Sequence, residues 1–280
     1  MRKQLWSLAA GLAAILGVSV SANAATITFS QFGSDPGPAI TTAGGWDGGY
    51  INLTNEVNSQ GNQAAFDQLV SGSYKQMKFD FDFRISGVGD PATDKADGIG
   101  FAYANSADYG TTGAVGTFAG EEPNLPNSFG VGFDIWDNGG EGGSSVSLHF
   151  NDAALVSTPI DGMAVAAFDN NTVTHASISV VPVAGGSNVS VSVAQGGTSL
   201  DVYSDYFIPG LNPYDGRMVF GGRTGGANAT QDIDNIQLIQ VQGANDPTTT
   251  VLYTFVPEPA SFTLIGLGAA GLVGMLRRRS

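Results

Sequence analysis

Cysteine is absent from the 280-residue chain, which excludes disulfides, thiolate metal sites and cysteine nucleophiles. Histidine occurs twice, at His149 and His175, so a multi-histidine metal centre is excluded as well. Charge is scarce, 13% of residues, and what there is leans one way. Between Ala25 and Val256 six basic residues (Lys75, Lys78, Arg84, Lys95, Arg217 and Arg223) stand against 24 acidic ones, a net of −18. Such a body repels phosphate backbones, so nucleic acid is not an expected partner. With 42% hydrophobic residues the chain is not a charge-solvated disordered one. No fixed-period repeat, no Pro/Ser linker within 25–245 and no 12-residue amphipathic helical stripe is found.

What is present is glycine, 40 residues of it, and short runs of alternating hydrophobicity between turn residues. In Lys78–Ile85, Phe79, Phe81, Phe83 and Ile85 face one way and the charges the other, the period of a half-buried strand. Further strands are expected at 98–103, 128–136, 144–150, 172–181, 188–194, 217–220 and 232–241, with Val251–Phe255 as a possible closing edge strand. Residues 63–69 read equally as a helical turn or a strand edge. A strand every 10–15 residues with no helix between argues one all-β domain, a jelly-roll sandwich of two large antiparallel sheets.

The ends are different. Arg2 and Lys3, the apolar run Leu5–Val20 and Ala22-Asn23-Ala24 form the three parts of a secretory signal, residues 1–24. The sandwich is expected over 25–245 and a linker over 246–259. The segment 260–280 carries an apolar stretch, Phe262–Leu276, closed by Arg277, Arg278 and Arg279. Pro257-Glu258-Pro259 followed by that stretch and arginine cluster resembles the PEP-CTERM sorting signal of exported bacterial proteins. The resemblance implies a membrane sorting protease as partner, transient membrane anchoring, and delivery to the cell surface or extracellular matrix. A plain single-span anchor is the other reading of the same tail.

One stretch carries chemistry. The strand Ser128–Asp134 runs into a loop with Asp137, Asn138 and Glu141, and Asp152 follows the next strand. A hard cation such as Ca2+ takes six to eight oxygens from carboxylates, amides and backbone carbonyls, and Asp-x-x-x-Asn offers two with the Trp136 carbonyl between them. Loops of this composition are also ordinary turns. Together with Ala96-Asp97-Gly98 and Thr224-Gly225-Gly226, and with Asn52-Leu53-Thr54 early in the chain, this stretch resembles the L-type lectins, the legume and animal cargo lectins of the concanavalin-like fold.

The resemblance implies a calcium-dependent carbohydrate-binding protein whose partner is a polysaccharide or other glycan. It assigns Asp97, Asn138, His149, Gly225 and Gly226 to the sugar, and Asp134, Trp136 (through its carbonyl), Asn138 and Asp152 to Ca2+. It further implies a cis peptide before Asp97, with Asp97 reading ligand rather than holding the fold. His149 also reads as an ordinary strand residue. Tyr103, Trp136 and Tyr109 are candidates to stack on a sugar ring. The legume branch carries a Glu and a His for a transition metal where Gly132 and Ser145 stand here, so a calcium-only site is the better match. Fold-sharing glycosidases carry Glu-x-Asp-x-x-Glu, of which Gly132 and Asp137 replace both Glu positions; a hydrolase and a non-catalytic structural matrix protein remain the alternatives.

Overall fold

The computed structural model describes residues 20–21, 27–31, 39–41, 49–70, 74–87, 94–116, 120–139, 143–241 and 249–252. Glu141, most of the expected signal and the sorting tail lie outside them. The strands are β1 (Val20–Ser21), β2 (Ile27–Gln31), β3 (Ala39–Thr41), β4 (Tyr50–Thr54), β5 (Gly61–Phe66), β6 (Gln76–Ser86), β7 (Gly98–Asn105), β8 (Phe129–Asp134), β9 (Ser145–Phe150), β10 (Ala154–Pro159), β11 (Thr174–Val183), β12 (Gly186–Gln195), β13 (Thr198–Pro209), β14 (Gly216–Arg223), β15 (Thr230–Val241) and β16 (Thr249–Leu252). One short helix, α1 (Ser106–Tyr109), follows β7, with Asn105 accepting from the Ala107 amide as its N-cap.

Two sheets face each other. The larger runs β1-β16-β15-β6-β11-β12-β13, with β4 also on β15 and β3 on β4; the smaller runs β10-β9-β8-β7-β14-β5-β2. Pairing is antiparallel except between β1 and β16. The alternation in β6 does what its period implies: Phe79, Phe81, Phe83 and Ile85 are buried, while the residues between them face outward. These rings meet the inward face of the smaller sheet, Phe81 lying edge-on to Phe220 at 4.9 Å between centroids and Phe83 at 4.9 Å from Phe133. Of the ambiguous segment 63–69, residues 63–66 belong to strand β5 and 67–69 follow it without regular structure, and the closing strand begins two residues earlier than expected, at Thr249.

The outward face of the smaller sheet is paved with small residues, Gly98, Gly100, Ala102 and Ala104 on β7 and Gly130 and Gly132 on β8. That floor lets segments 106–116 and 120–128 of the connection after β7 lie directly on the sheet, where Val115 and Leu125 pack on Ala65, Ala102 and Val219 in a second apolar cluster. A side chain at Gly132 would collide with the Glu121 carbonyl and Ser147 Oγ, and one at Gly130 with Pro123. Arg217, fully buried, holds the same connection by donating to the carbonyls of Gly113 (2.6 Å) and Tyr109 (2.9 Å).

Candidate functional site

Register across the smaller sheet sets the site. Gly98 at the start of β7 pairs with Asp134 at the end of β8 and with Arg223 at the end of β14, which in turn pairs with Gly61 at the start of β5. Four strand ends thus form one row. Asp97, just before β7, is tied on both sides: its N–H donates to the Arg223 carbonyl and its own carbonyl accepts from Ile135 N, both at 2.9 Å. The Ala96–Asp97 peptide is cis. Gly98 follows at φ +151°, where any side chain would run into the Phe133 carbonyl.

Asp97, Trp136, Asn138 and Gly225 line one shallow polar pocket of about 500 Å3, together with Ser59, Gln60, Gly61, Arg223 and Thr224. The loop carrying Gly225 is locked by Thr224, whose hydroxyl accepts from Gln60 N and donates to the Val57 carbonyl. A side chain at Gly225 would touch the Asp97 carboxylate, and its N–H is engaged by the Ala227 carbonyl. Gly226 sits exposed beside it. Of the three aromatic candidates only Trp136 lines the pocket. Tyr103 is in the core against Phe79, and Tyr109 packs on the second cluster.

Asp134 is almost completely buried and organises the loop after it, one oxygen accepting from Trp136 N (2.7 Å) and the other from Asn138 Nδ2 (3.2 Å). The Asp134 carboxylate, the Trp136 carbonyl and the Asn138 amide turned to present its oxygen are donors of the right chemistry for a hard cation, and all lie within five residues. They supply three of the six to eight oxygens such an ion takes. Among the described residues no group of three His, Cys, Asp or Glu side chains is placed to hold a metal.

Two of the expected residues lie elsewhere. In β9, His149 is opposite Gly130 while Ser145 is opposite Asp134, so four residues at about 3.3 Å each separate His149 from the pocket row by roughly 13 Å. It is buried beneath the 120–128 connection, its Nε2 2.7 Å from Ser147 Oγ and its Nδ1 2.8 Å from Asn124 Oδ1, and burial lowers its pKa to about 4. Asp152 lies in the β9–β10 turn beyond the opposite end of β8, its N–H on the Leu125 carbonyl. Two ligands of one ion stand within about 5 Å of each other, and the length of β8 alone, about 17 Å, separates Asp152 from Asp134. The sequence spacing His149-x-x-Asp152 therefore does not join this pocket.

Sequence reasoning did not weigh Arg223 and Glu121. Arg223 Nε is 2.6 Å from Asp97 Oδ2, and Nη2 is 2.7 Å from Oε1 of the fully buried Glu121. Burial, with Asp97 and Asp134 adding to it, pushes the Glu121 carboxyl up to about 8 against the opposing pull of Arg223. Partial burial lowers the Arg223 pKa, but Glu121 and Asp97 outweigh it and the net shift is upward. Asp97 is thus ion-paired to a half-exposed Arg223, a tie to the fold that the sequence expectation did not include. Glu121 carries no sequence signal, standing in Glu121-Glu122-Pro123 with nothing to link it to residues a hundred positions away.

The PEP-CTERM protein-sorting motif matches residues 255–279. No curated protein sequence matches the chain. Among solved structures it is similar to the exoplasmic/lumenal domain of VIP36 in its Ca2+/Man3GlcNAc-bound form, at 15% identity over 80% of this chain and 92% of that one, TM-score 0.53. It is also similar to lectin I-B4 from Griffonia simplicifolia (16% identity, 76% and 92% of the two chains, TM-score 0.53) and lectin II from Ulex europaeus (15% identity, 76% and 91%, TM-score 0.53). The chain is a sandwich of the L-type lectin fold followed by a PEP-CTERM sorting motif, the mark of an exported protein sorted through its C-terminus.

Proposed function

We propose that this is a non-enzymatic carbohydrate-binding protein of the cell surface or extracellular matrix, which takes a polysaccharide or glycoprotein glycan at the pocket around Asp97. The observation that carries the reading is the convergence of Asp97, of Trp136 and Asn138 from one loop, and of Gly225, three separate stretches of chain, on one pocket. Sugar hydroxyls both donate and accept. A charged acceptor at Asp97, an amide at Asn138 and the flat indole of Trp136 give a ring two polar contacts and an apolar one. Ca2+ is the proposed cofactor, held by Asp134, Asn138 and the Trp136 carbonyl; when bound it would fix the Asn138 amide toward the sugar. Hydrolysis of a glycosidic bond takes two carboxylates astride it, and Asp97 is the carboxylate of this pocket wall, which favours binding over cleavage.

A glycan array with calcium and with EDTA tests this, followed by two variants. Asp97→Asn is expected to lose about 1.5–3 kcal/mol of sugar affinity through the lost charged acceptor and, because of Arg223, to melt lower than the parent. Asp134→Asn is expected to weaken sugar binding about as much as EDTA weakens it in the parent, and to lose calcium-dependent stabilisation, read as the calcium-minus-EDTA difference in melting temperature. Array silence, or wild-type binding by Asp97→Asn, would leave the structural matrix protein as the better reading; released sugar products would favour a hydrolase.

A further inference from the structure

We infer that Arg223 does a cation's work in this pocket: braced from behind by buried Glu121, its guanidinium fixes the Asp97 carboxylate, so that the sugar-reading half of the site is set without a metal. The inference rests on the reading of this pocket as the carbohydrate site and adds to it how that site depends on calcium.

The geometry separates two halves. In one, Asp134, Trp136 and Asn138 belong to a single loop and hold one another. In the other, Asp97 is bound to β14 twice, through its N–H to the Arg223 carbonyl and through Oδ2 to Arg223 Nε. A carboxylate withdrawn from water needs a compensating charge, and Asp97 receives it from a side chain of its own chain. The brace is specific. A guanidinium is a planar fork that can face two carboxylates from different nitrogens, whereas an ammonium is a point charge. Here Nε meets Asp97 and Nη2 meets Glu121 Oε1, which the packed connection holds in place: a side chain at Gly120 would press on Arg223, and the Glu121 carbonyl lies over Gly132. Among the described residues Nη1 has no protein partner, and Arg223 lines the pocket, so this nitrogen remains to donate to a ligand.

The test uses the mature protein and its variants Arg223→Met and Arg223→Lys, titrated with the strongest array glycan in calcium and in EDTA, alongside a crystal structure of the EDTA-treated parent. The parent is expected to keep binding in EDTA, weakened no more than about tenfold. Arg223→Met should lose at least tenfold in calcium and all detectable binding in EDTA, and Arg223→Lys should recover part of the calcium value and little of the EDTA value. Abolition of parental binding by EDTA, or equal binding by parent and Arg223→Met, overturns the inference. If the parent binds no glycan even with calcium, the carbohydrate reading fails separately. The EDTA structure then decides: Asp97 against Arg223 upholds the brace, and Asp97 swung away overturns it. It decides equally if Arg223→Met does not fold.

Discussion

Burial separates the two histidines, and because the protein has no others each can be followed alone. His149, enclosed by Ser147 and Asn124, has its pKa lowered to about 4 by burial. His175 is half-exposed, and its hydrogen bond to Asp82 raises its pKa against some desolvation, with the charges of Asp82 and Asp80 helping. Ring titrations by NMR should therefore straddle the ordinary value near 6.5, and coincident midpoints there would contradict the packing of His149 under the connection. The linkage follows in sign. Between about pH 6.5 and 4 the unfolded chain takes up a proton at His149 that the folded one refuses, so acidification over that window weakens the fold, by on the order of 3 kcal/mol. Glu121 works in the opposite direction. Its folded pKa, about 8, lies above the ordinary 4.5, so its contribution is complete below about pH 4.5 and is lost as pH rises through 8. Glu121→Gln keeps an acceptor for Arg223 and removes the ionisation. Thermal melts from pH 5 to 9 should show the variant gaining on the parent toward pH 9; parallel curves would mean that Glu121 is ionised throughout.

At the scale of elements, the strands that alternate cleanly were legible and those that do not were not. β6, β7, β8, β9, β11, β12, β14 and β15 fall within a few residues of the expected runs because their inward positions carry Phe, Val, Ile or Leu against small or charged outward ones. β10 and β13 were missed: β10 is half-exposed at a sheet edge, and β13 is a bulged, largely exposed edge strand, so neither presents a buried stripe to read. The same limit applies to the site. Asp97, Asn138 and Gly225 were legible through short motifs, whereas Glu121 and Arg223 are joined only by how a loop lies on a sheet. His149 and Asp152 were drawn in by spacing along one strand, which says nothing of which end of the neighbouring strand carries the pocket. The glycine floor makes this testable. The resemblance puts Gly132 where the legume branch has a transition-metal Glu, and the space a side chain would take there is filled by the Glu121 carbonyl. Gly132→Ala should lift the 120–122 segment, cost about 1–3 kcal/mol as overpacking and weaken the Arg223 brace. Gly116→Ala, with open space around it, should melt like the parent.

For the whole molecule, the question is what the C-terminal segment does for the fold it follows. β15 receives two partners along one edge, β4 over Gln231–Ile233 and β16 over Gln237–Gln240, and among the described residues the last paired one is Leu252. The sorting motif begins at residue 255 and runs to 279. The closing strand described, ending at Leu252, and the motif therefore do not overlap, and every core residue among the described residues lies before the motif. A cut within or just after Pro257-Glu258-Pro259 would remove the apolar stretch and the three arginines while leaving β16 in place. Processing is then neutral to stability: a chain ending at Pro259 should melt with the full-length protein, whereas one ending at Gly243 should melt lower, having lost β16 from the edge of β15. Mass spectrometry of the protein recovered from its own cells should find a C-terminus near Pro259. An intact end carrying Arg277, Arg278 and Arg279 would mean that the tail stays as a membrane anchor, and with it that the sandwich works tethered to the membrane rather than released to the matrix.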